Sequence, residues 1–244
     1  MTITYRHPPG ILPSLQSLLY ILIVAMFIFT FIVEPSRIPS ASMEPTLLVG
    51  DSLLVDKQAF SAPGILNPLP HTAIARGDII VFHFPVDTNR RLIKRVVALP
   101  GDRIRLHANR LYINNVLADD PYAVYQPAMP DRFRDDFPSL ERTNPSINAH
   151  WWIQMRRLLA ANGGQLVVPP GHYFVLGDNR NDSEDSRYWG FVPQANIVGR
   201  PLLIYFSLRQ PQLQDPTLSA PPAQGILTTL AHLSRWDRIG HIIH

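Results

Sequence analysis

The chain contains no cysteine and almost no lysine. The missing thiols exclude disulfide bonds, cysteine nucleophiles and thiolate metal sites. Lysine occurs only at Lys57 and Lys94, so arginine supplies 20 of the 22 basic residues. A guanidinium stays protonated at physiological pH, whereas a buried amine loses its proton more readily. Either the two lysines have a role that arginine cannot fill, or they are remnants of composition without further meaning.

A strong excess of one charge is also missing, and so are the common hydrolase motifs. The formal net charge is only +3 at pH 7, and no basic stripe carries interleaved aromatic residues. The sequence therefore predicts no nucleic-acid partner and favours a protein that works beside anionic lipid head groups. It has no Gly-x-Ser-x-Gly elbow and no His-Glu-x-x-His zinc motif, and no histidine lies in a recognisable hydrolase motif. No metal or cofactor is predicted.

The amino-terminal part holds one long apolar run. Residues 15–33 carry no charge and number 19, close to the ~20 that cross a bilayer as a helix. A buried core helix is rarely apolar on all faces for so long. A cleaved signal peptide has a shorter apolar region and a more basic start than Arg6 alone, although Ser40-Ala41-Ser42 offers small residues downstream. The run therefore predicts an uncleaved, single-pass membrane anchor.

The charges that flank this run predict its orientation. Arg6 and the amino terminus lie before it, and Glu34 and Arg37 follow it. Positive charge collects on the cytoplasmic side of membrane proteins, so the slight excess before the run favours an amino terminus inside the cell. The rest of the chain would then lie outside the membrane.

After the anchor, the sequence is typical of a mainly β protein. Short aliphatic runs at 78–82, 92–98 and 165–168 predict strands, and Gly, Pro, Asn and Asp separate them. The 24 prolines suit turns and edge strands better than helix interiors. We predict an anchor with a short cytoplasmic stub over 1–34, an antiparallel β domain over 35–209, and a linker with an amphipathic tail over 210–244. An excursion from the sheet is predicted over 103–170.

Two short amphipathic helices are predicted within this arrangement. In the first, Ala149–Ala161, Trp151, Met155, Leu158 and Leu159 fall on one face, and Asn162-Gly163-Gly164 ends the helix. A polar, proline-rich stretch over 121–148 leads into it. The second covers residues 226–239, with Trp236 between Arg235 and Asp237.

Two serines and one lysine are candidates for chemistry. Ser40 and Ser42 lie between Pro39 and Pro45, which restrict the backbone as a nucleophilic hydroxyl requires. A base could be Lys94, because Leu92 and Val96 share its face of a predicted strand and desolvation lowers the pKa of an amine. Lys94 could also be a strand-edge lysine whose amine reaches water. The rival base Lys57 follows Asp56 in a more polar setting, which predicts a solvated amine.

Four segments in order along the chain resemble the sequence boxes of the type I signal peptidases. They are residues 39–47 (PSASMEPTL), 76–82 (RGDIIVF), 94–102 (KRVVALPGD) and 177–190 (GDNRNDSEDSRYWG). The anchor directly before the first box fits the same family. The resemblance spans most of residues 18–208, and four boxes in order are a specific signal.

The resemblance implies roles for particular residues. Ser42 is implied as the nucleophile, Lys94 as the general base, Ser40 as an oxyanion donor beside the Ser42 N–H, and Ser183 as the hydroxyl that orients the lysine amine. A supporting ion-pair network is implied for Asp178, Arg180, Asp185 and Arg95. Walls of shallow pockets for small residues at the first and third positions before the cut are implied for Ile38, Pro39, Met43, Leu47, Val81 and Ile93.

The implied activity is removal of signal peptides from exported preproteins at the outer face of the bacterial cytoplasmic membrane. Its expected partners are those signal peptides and membrane lipid. Other enzymatic readings are a self-cleaving Ser-Lys repressor or a specialised pilin-processing peptidase, but a repressor should carry a DNA-binding domain where this chain has an anchor. A non-enzymatic reading is an anchored β domain that binds partners through Trp151 and Trp152.

Overall fold

The computed structural model describes residues 11–60, 72–141, 144–209 and 233–243. It begins with helix α1, Ile11–Phe27, which continues as one wider π-helical turn over Ile28–Ile32. The span Leu12–Ile32 is 21 residues long and apolar enough to cross a membrane, and its side chains are not buried against the protein. This exposure contradicts the core-helix alternative. The helix starts a few residues before the predicted run and ends at Ile32, one residue before the predicted end.

The rest of the described chain is built mainly from short strands. They are β1 Val33–Arg37, β2 Asp51–Asp56, β3 Ile79–His83, β4 Arg91–Ala98, β5 Arg103–His107, β6 Arg110–Ile113, β7 Val116–Leu117, β8 Leu166–Val167, β9 His172–Leu176, β10 Val192–Pro193 and β11 Ile197–Ser207. The three strands predicted from aliphatic runs correspond to β3, β4 and β8, each within one or two residues. The mainly β fold class is confirmed.

Within the described residues the strands form two antiparallel sheets. The larger has the order β1-β2-β11-β3-β4-β9-β10, and the smaller has the order β7-β6-β5-β8. Strand β5 shows why the smaller sheet forms: Ile104 and Leu106 are buried, while the residues that alternate with them are exposed. Strand β4 is central in the larger sheet, so its residues from Lys94 to Ala98 are buried on both faces.

Three further α-helices of four or more residues lie in the described part of the body: α2 Arg132–Asp135, α3 Ala149–Ala161 and α4 Ser186–Trp189. Helix α3 has the predicted bounds. The Asn148 side chain caps its first turn by accepting from the Trp151 N–H at 3.0 Å. Its buried face packs Trp151, Met155 and Leu159 into the main core, with Leu158 partly buried beside them.

The prediction of a second helix over 226–239 is wrong over residues 234–239; residues 226–232 lie outside the described residues, and Leu233 is helical. From Ser234 onward the described residues contain one 3-10 turn, Trp236–Arg238, and no α-helix. Strand β3 pairs with β11 only at Ile197 and Gly199, which leaves the following edge of β11 open. The tail fills that edge, because the Gly240 and Ile243 N–H groups donate to the carbonyls of Ile204 and Leu202. Pairing with an open strand therefore outweighs the helical pattern.

Among the described residues, two groups of buried apolar side chains hold the body together. The larger lies between the two sheets and α3, and the smaller lies under the segment that follows β1. The smaller group brings residues from distant parts of the chain into contact: Ile38, Met43, Leu47, Leu53, Ile79, Ile204 and Ile243. The division of the chain at residues 34 and 209, and the excursion over 103–170, stay predictions.

Candidate active site

Ser42 and Lys94 are in direct contact. Strand β1 ends at Arg37, and Ser42 lies at the centre of the 3-10 turn Ala41–Met43 that follows. Lys94 lies on β4 opposite Ile80 of β3, and its Nζ donates a hydrogen bond to Ser42 Oγ. Lys94 is only 4% exposed and Ser42 7%. The alternative in which the Lys94 amine reaches water is therefore wrong.

Burial changes the charge state of this amine. Desolvation lowers the pKa of Lys94 from 10.5 to about 8, and the nearby carboxylates of Asp185 and Asp178 act in the opposite direction. A neutral amine is thus accessible near physiological pH. The rival lysine differs: the Lys57 amine donates to the Thr30 carbonyl oxygen at 2.5 Å, at the end of the anchor helix. This contact lies at an exposed position, so the prediction of a solvated Lys57 amine is not contradicted.

Ser40 lies beside the pair, and Ser183 lies near it. Ser40 Oγ is 3.4 Å from Ser42 Oγ, on the exposed side of the turn. Ser183 Oγ donates to Asp185 Oδ2 at 2.8 Å, and no hydrogen bond joins it to Lys94 in the described part of the chain. The oxygen of that hydroxyl keeps lone pairs that can accept from an amine. A Cβ at Gly177 would collide with both Ser183 Oγ and the Ser42 carbonyl, so only glycine permits this close approach.

All four residues implied for an ion-pair network form ion pairs, two of them with residues outside that set. Arg95 and Asp178 pair through two hydrogen bonds of 2.8 and 2.7 Å, and both side chains are buried. Asp185 instead pairs with Arg187, again bidentately at 2.8 Å, and Arg180 pairs with Asp120. Arg187 could have been found, since it follows Asp185 by two residues in the fourth box. No sequence signal pointed to Asp120, because it lies 60 residues before Arg180 in the chain and directly before a proline-rich stretch.

Further contacts tie the Ser42 turn to this network. The Thr46 hydroxyl donates to Asp178 Oδ2 at 2.6 Å. The Asn179 N–H donates to the Ser42 carbonyl at 3.2 Å. Asp178 therefore fixes the position of β4, through Arg95, and of the segment after Ser42. No separate role was predicted for Thr46 or Asn179, although both lie inside the boxes.

A cavity of about 170 Å³ opens beside the Ser42–Lys94 pair. It lies between the segment after β1 and the first half of β4, and its lining residues are 36–40, 42–43 and 91–94. Of the six residues predicted to form pocket walls, Ile38, Pro39, Met43 and Ile93 line it. The other two do not line this cavity: Leu47 is fully buried, and Val81 is buried in β3 between Ile93 and Gly199, so their role as pocket walls stays a prediction.

The edge of β4 at this cavity is open. Strand β9 pairs with β4 only at Arg95, Val96 and Ala98. Residues 91–94 therefore have β3 on one side and, among the described residues, no strand on the other. An unpaired edge of this kind accepts an extended peptide as an added strand. In the described residues no group of three His, Asp or Glu side chains could hold a metal ion.

Fold and site together define a class of protein. It is an anchored β protein in which a serine hydroxyl contacts a buried lysine amine, the arrangement of serine hydrolases that use lysine in place of histidine. A family model described as signal peptidase, peptidase S26, matches residues 11–206. The chain belongs to this family and is a serine endopeptidase bound to a membrane.

Two relatives in sequence agree with this assignment. The chain is similar to a signal peptidase I of Pseudomonas fluorescens, with 36% identity over 93% of this chain and 78% of that protein. It is also similar to a signal peptidase I of Aquifex aeolicus, with 33% identity over 82% of this chain and 86% of that protein. A crystal structure of a signal peptidase I from Enterococcus faecalis shows 35% identity, covers 53% of this chain and 97% of that chain, and superposes with a TM-score of 0.38.

Proposed function

We propose that the protein removes amino-terminal signal peptides from exported preproteins by acyl transfer through Ser42, with Lys94 as the general base. The observation that carries the mechanism is the buried contact between the Lys94 amine and the Ser42 hydroxyl. A buried amine with a lowered pKa can be neutral and accept a proton, whereas an exposed lysine amine is almost entirely protonated and cannot. The family supports peptide-bond cleavage as the reaction.

The proposed reaction has two halves. Neutral Lys94 takes the Ser42 proton, and the alkoxide attacks the scissile carbonyl to form a tetrahedral intermediate. The Ser40 hydroxyl and the Ser42 N–H stabilise its oxyanion; one such donor contributes about 3–4 kcal/mol in other proteases. The Lys94 ammonium then gives its proton to the leaving amine, and the signal peptide stays bound to Ser42 as an ester. Water, deprotonated by Lys94, hydrolyses the ester and frees Ser42.

The substrate is proposed to bind as an extended strand along the open edge of β4. In an extended peptide, the first and third residues before the cut point to the same face. Those two side chains would enter the small cavity lined by Ile38, Met43 and Ile93. Its limited volume favours small residues at both positions. The supporting roles of Ser183, Asp178, Arg180, Asp185 and Arg95 stay predictions.

Substrate variants test this proposal directly. Replacing alanine by leucine at the first position before the cut should lower kcat/KM at least about tenfold, because the larger side chain does not fit the cavity. Replacement at the second position, whose side chain points away, is the matched control and should have little effect. Equal cleavage of all three preproteins would contradict the assignment of the cavity.

The mechanism also predicts a pH dependence. Only the neutral amine can act as base, and its fraction rises as the pH passes the pKa of Lys94, which is about 8. We therefore expect kcat/KM for a soluble peptide to rise between about pH 7 and pH 9 and then to level off. A profile that is flat over this range, or that rises only near pH 10.5, would contradict a desolvated Lys94 in this role.

We propose that the body lies on the outer face of the bacterial cytoplasmic membrane. The chain has no cysteine, so Val116→Cys, at a side chain 68% exposed on β7, creates a unique thiol. A maleimide that cannot cross membranes should label this variant in intact spheroplasts, whereas Thr2→Cys should react only after lysis. Protection of the Val116→Cys thiol until lysis would place the body inside.

One other enzymatic reading and one binding reading are disfavoured. The apolar helix directly before β1 stands where a self-cleaving repressor would carry its DNA-binding domain. Trp151 is only 2% exposed, and its indole donates to the Arg187 carbonyl at 2.9 Å, so it is a core residue rather than a docking surface. Trp152 is partly buried and stacks with Arg156.

A further inference from the structure

The end of the membrane helix is capped by the body of the protein. The last carbonyls of a helix have no partner within it. Here the Lys57 amine donates to the Thr30 carbonyl at 2.5 Å, and the Lys57 N–H donates to the Ile32 carbonyl at 2.9 Å. The Gln58 side-chain amide donates to the Phe31 carbonyl at 3.4 Å. Three consecutive helix carbonyls are therefore bound by two consecutive residues that lie 25 or more positions later in the chain.

Because of their position in the chain, these donors connect the end of the anchor helix to the large sheet of the body. Strand β1 begins at Val33, directly after the helix, so no linker separates anchor and body. Strand β1 pairs with β2 along the whole length of β1, with Asp56 opposite Val33. Lys57 and Gln58 follow β2 immediately and thus fold back onto the helix end. Without them, the helix could turn about the single junction between Ile32 and Val33.

We infer that Lys57 and Gln58 hold the anchor helix at a fixed angle to the body and thereby set the position of the Ser42–Lys94 pair relative to the bilayer. Ser42 follows Ile32 by only ten residues, and the five residues of β1 span about 17 Å. A fixed helix angle therefore fixes the height of the site over the membrane. This inference rests on the proposed function, because such a fixed height favours preproteins that are themselves tethered to the membrane.

The cap also gives the second lysine of the chain a role. Near the hydrocarbon boundary little water is available to hydrogen-bond unpaired carbonyls, so hydrogen-bond donors from the protein stabilise the helix end there. A simpler explanation is that the Lys57 charge attracts anionic lipid. The geometry favours the cap, because the amine and the N–H of Lys57 and the amide of Gln58 all donate to carbonyls of the same helix end.

The experiment compares two substrates in liposomes of phosphatidylcholine, which carry no net charge. The full chain with Lys57→Met and Gln58→Leu keeps its side-chain volumes but loses both side-chain donors. Cleavage of a preprotein anchored in the same liposomes should fall about three- to tenfold relative to the wild type, because tethering works through effective concentration. Cleavage of a soluble peptide with the same cut site should stay within about twofold, since the variant does not change the reacting groups. Arg105→Met, which removes one charge from the second sheet, is the control and should change neither rate.

A measurement without activity tests the same inference. Spin labels at Leu22→Cys in the helix and Val116→Cys in the body report their distance distribution in the otherwise cysteine-free chain. The distribution should be narrow with Lys57 and Gln58 present and clearly broader in the double variant. An unchanged distribution, equal losses for both substrates, or no loss for the anchored preprotein in these uncharged liposomes would each overturn the inference. If the wild type cleaves neither substrate, the proposed function is wrong. The distance distributions still show whether Lys57 and Gln58 hold the helix at a fixed angle to the body.

Discussion

Lys94→Arg is expected to lower peptide cleavage by at least about 10³-fold while the chain stays folded. A guanidinium keeps its proton at every pH at which the protein is stable, so it cannot accept the proton of Ser42. The loss should approach that of Ser42→Ala, because two groups that act in one step fail together. Measurement of kcat/KM on a soluble peptide, with the melting temperature recorded for each variant, checks this expectation.

Two further variants make the result interpretable. Lys94→Met matches the lysine stem in length and should also be folded and inactive, which covers the case that the larger guanidinium disturbs the buried site. Arg105→Lys exchanges the same two residue types at an exposed position and should retain full activity. If Lys94→Arg were active, Lys94 would be a structural cation and the Ser42–Lys94 mechanism would be wrong.

Among the proposed variants, Arg187→Met is expected to lower the free energy of unfolding most. Asp185 is fully buried and accepts from Arg187, Ser183 and the Gly177 N–H. Burial raises the pKa of a carboxyl, but the Arg187 guanidinium and these hydrogen bonds hold the pKa of Asp185 below its ordinary value. Removing the guanidinium leaves a buried charge without its counter-ion, which costs about 3–5 kcal/mol of the free energy of unfolding. Denaturant titration of the detergent-solubilised protein measures that change.

Arg132→Met is the matched control for this effect. Arg132 also pairs with a carboxylate, Glu141, but both side chains are largely exposed, at 78% and 50%. Exposed pairs contribute about 0–1 kcal/mol, so this variant should unfold nearly as the wild type does. Similar losses of unfolding free energy for the two variants would show that burial of the Arg187–Asp185 pair does not increase its contribution to stability.

Local sequence patterns were sufficient to predict several elements of the fold. The uncharged run predicted the membrane helix, aliphatic runs predicted β3, β4 and β8, and the spacing of apolar residues predicted α3 with its observed bounds. These patterns succeed because they reflect burial along one element. For the tail after residue 233, the local pattern predicted a helix that does not form. The conformation of this tail depends on an open edge of β11, which is visible only in the assembled sheet.

The site was predictable where residues lie in one segment and less so where they meet across the chain. Ser40, Ser42 and Lys94 could be singled out from their own neighbours. The pairing of Arg180 with Asp120 and of Asp185 with Arg187 could not be assigned, because several charges of each sign were available. The Lys57 cap was missed for a different reason: its partners are backbone carbonyls, which carry no signature in sequence.

The most direct test of the central claim is to map the bond that the purified protein cleaves. Incubation with a preprotein, followed by sequencing of the new amino terminus, should show one cut directly after a small residue, with a second small residue two positions earlier. Ser42→Ala should produce no cut, whereas Ser146→Ala, at an exposed serine on the body, should cut as the wild type does. An intact preprotein with the wild type, or the same cut with Ser42→Ala, would contradict the account.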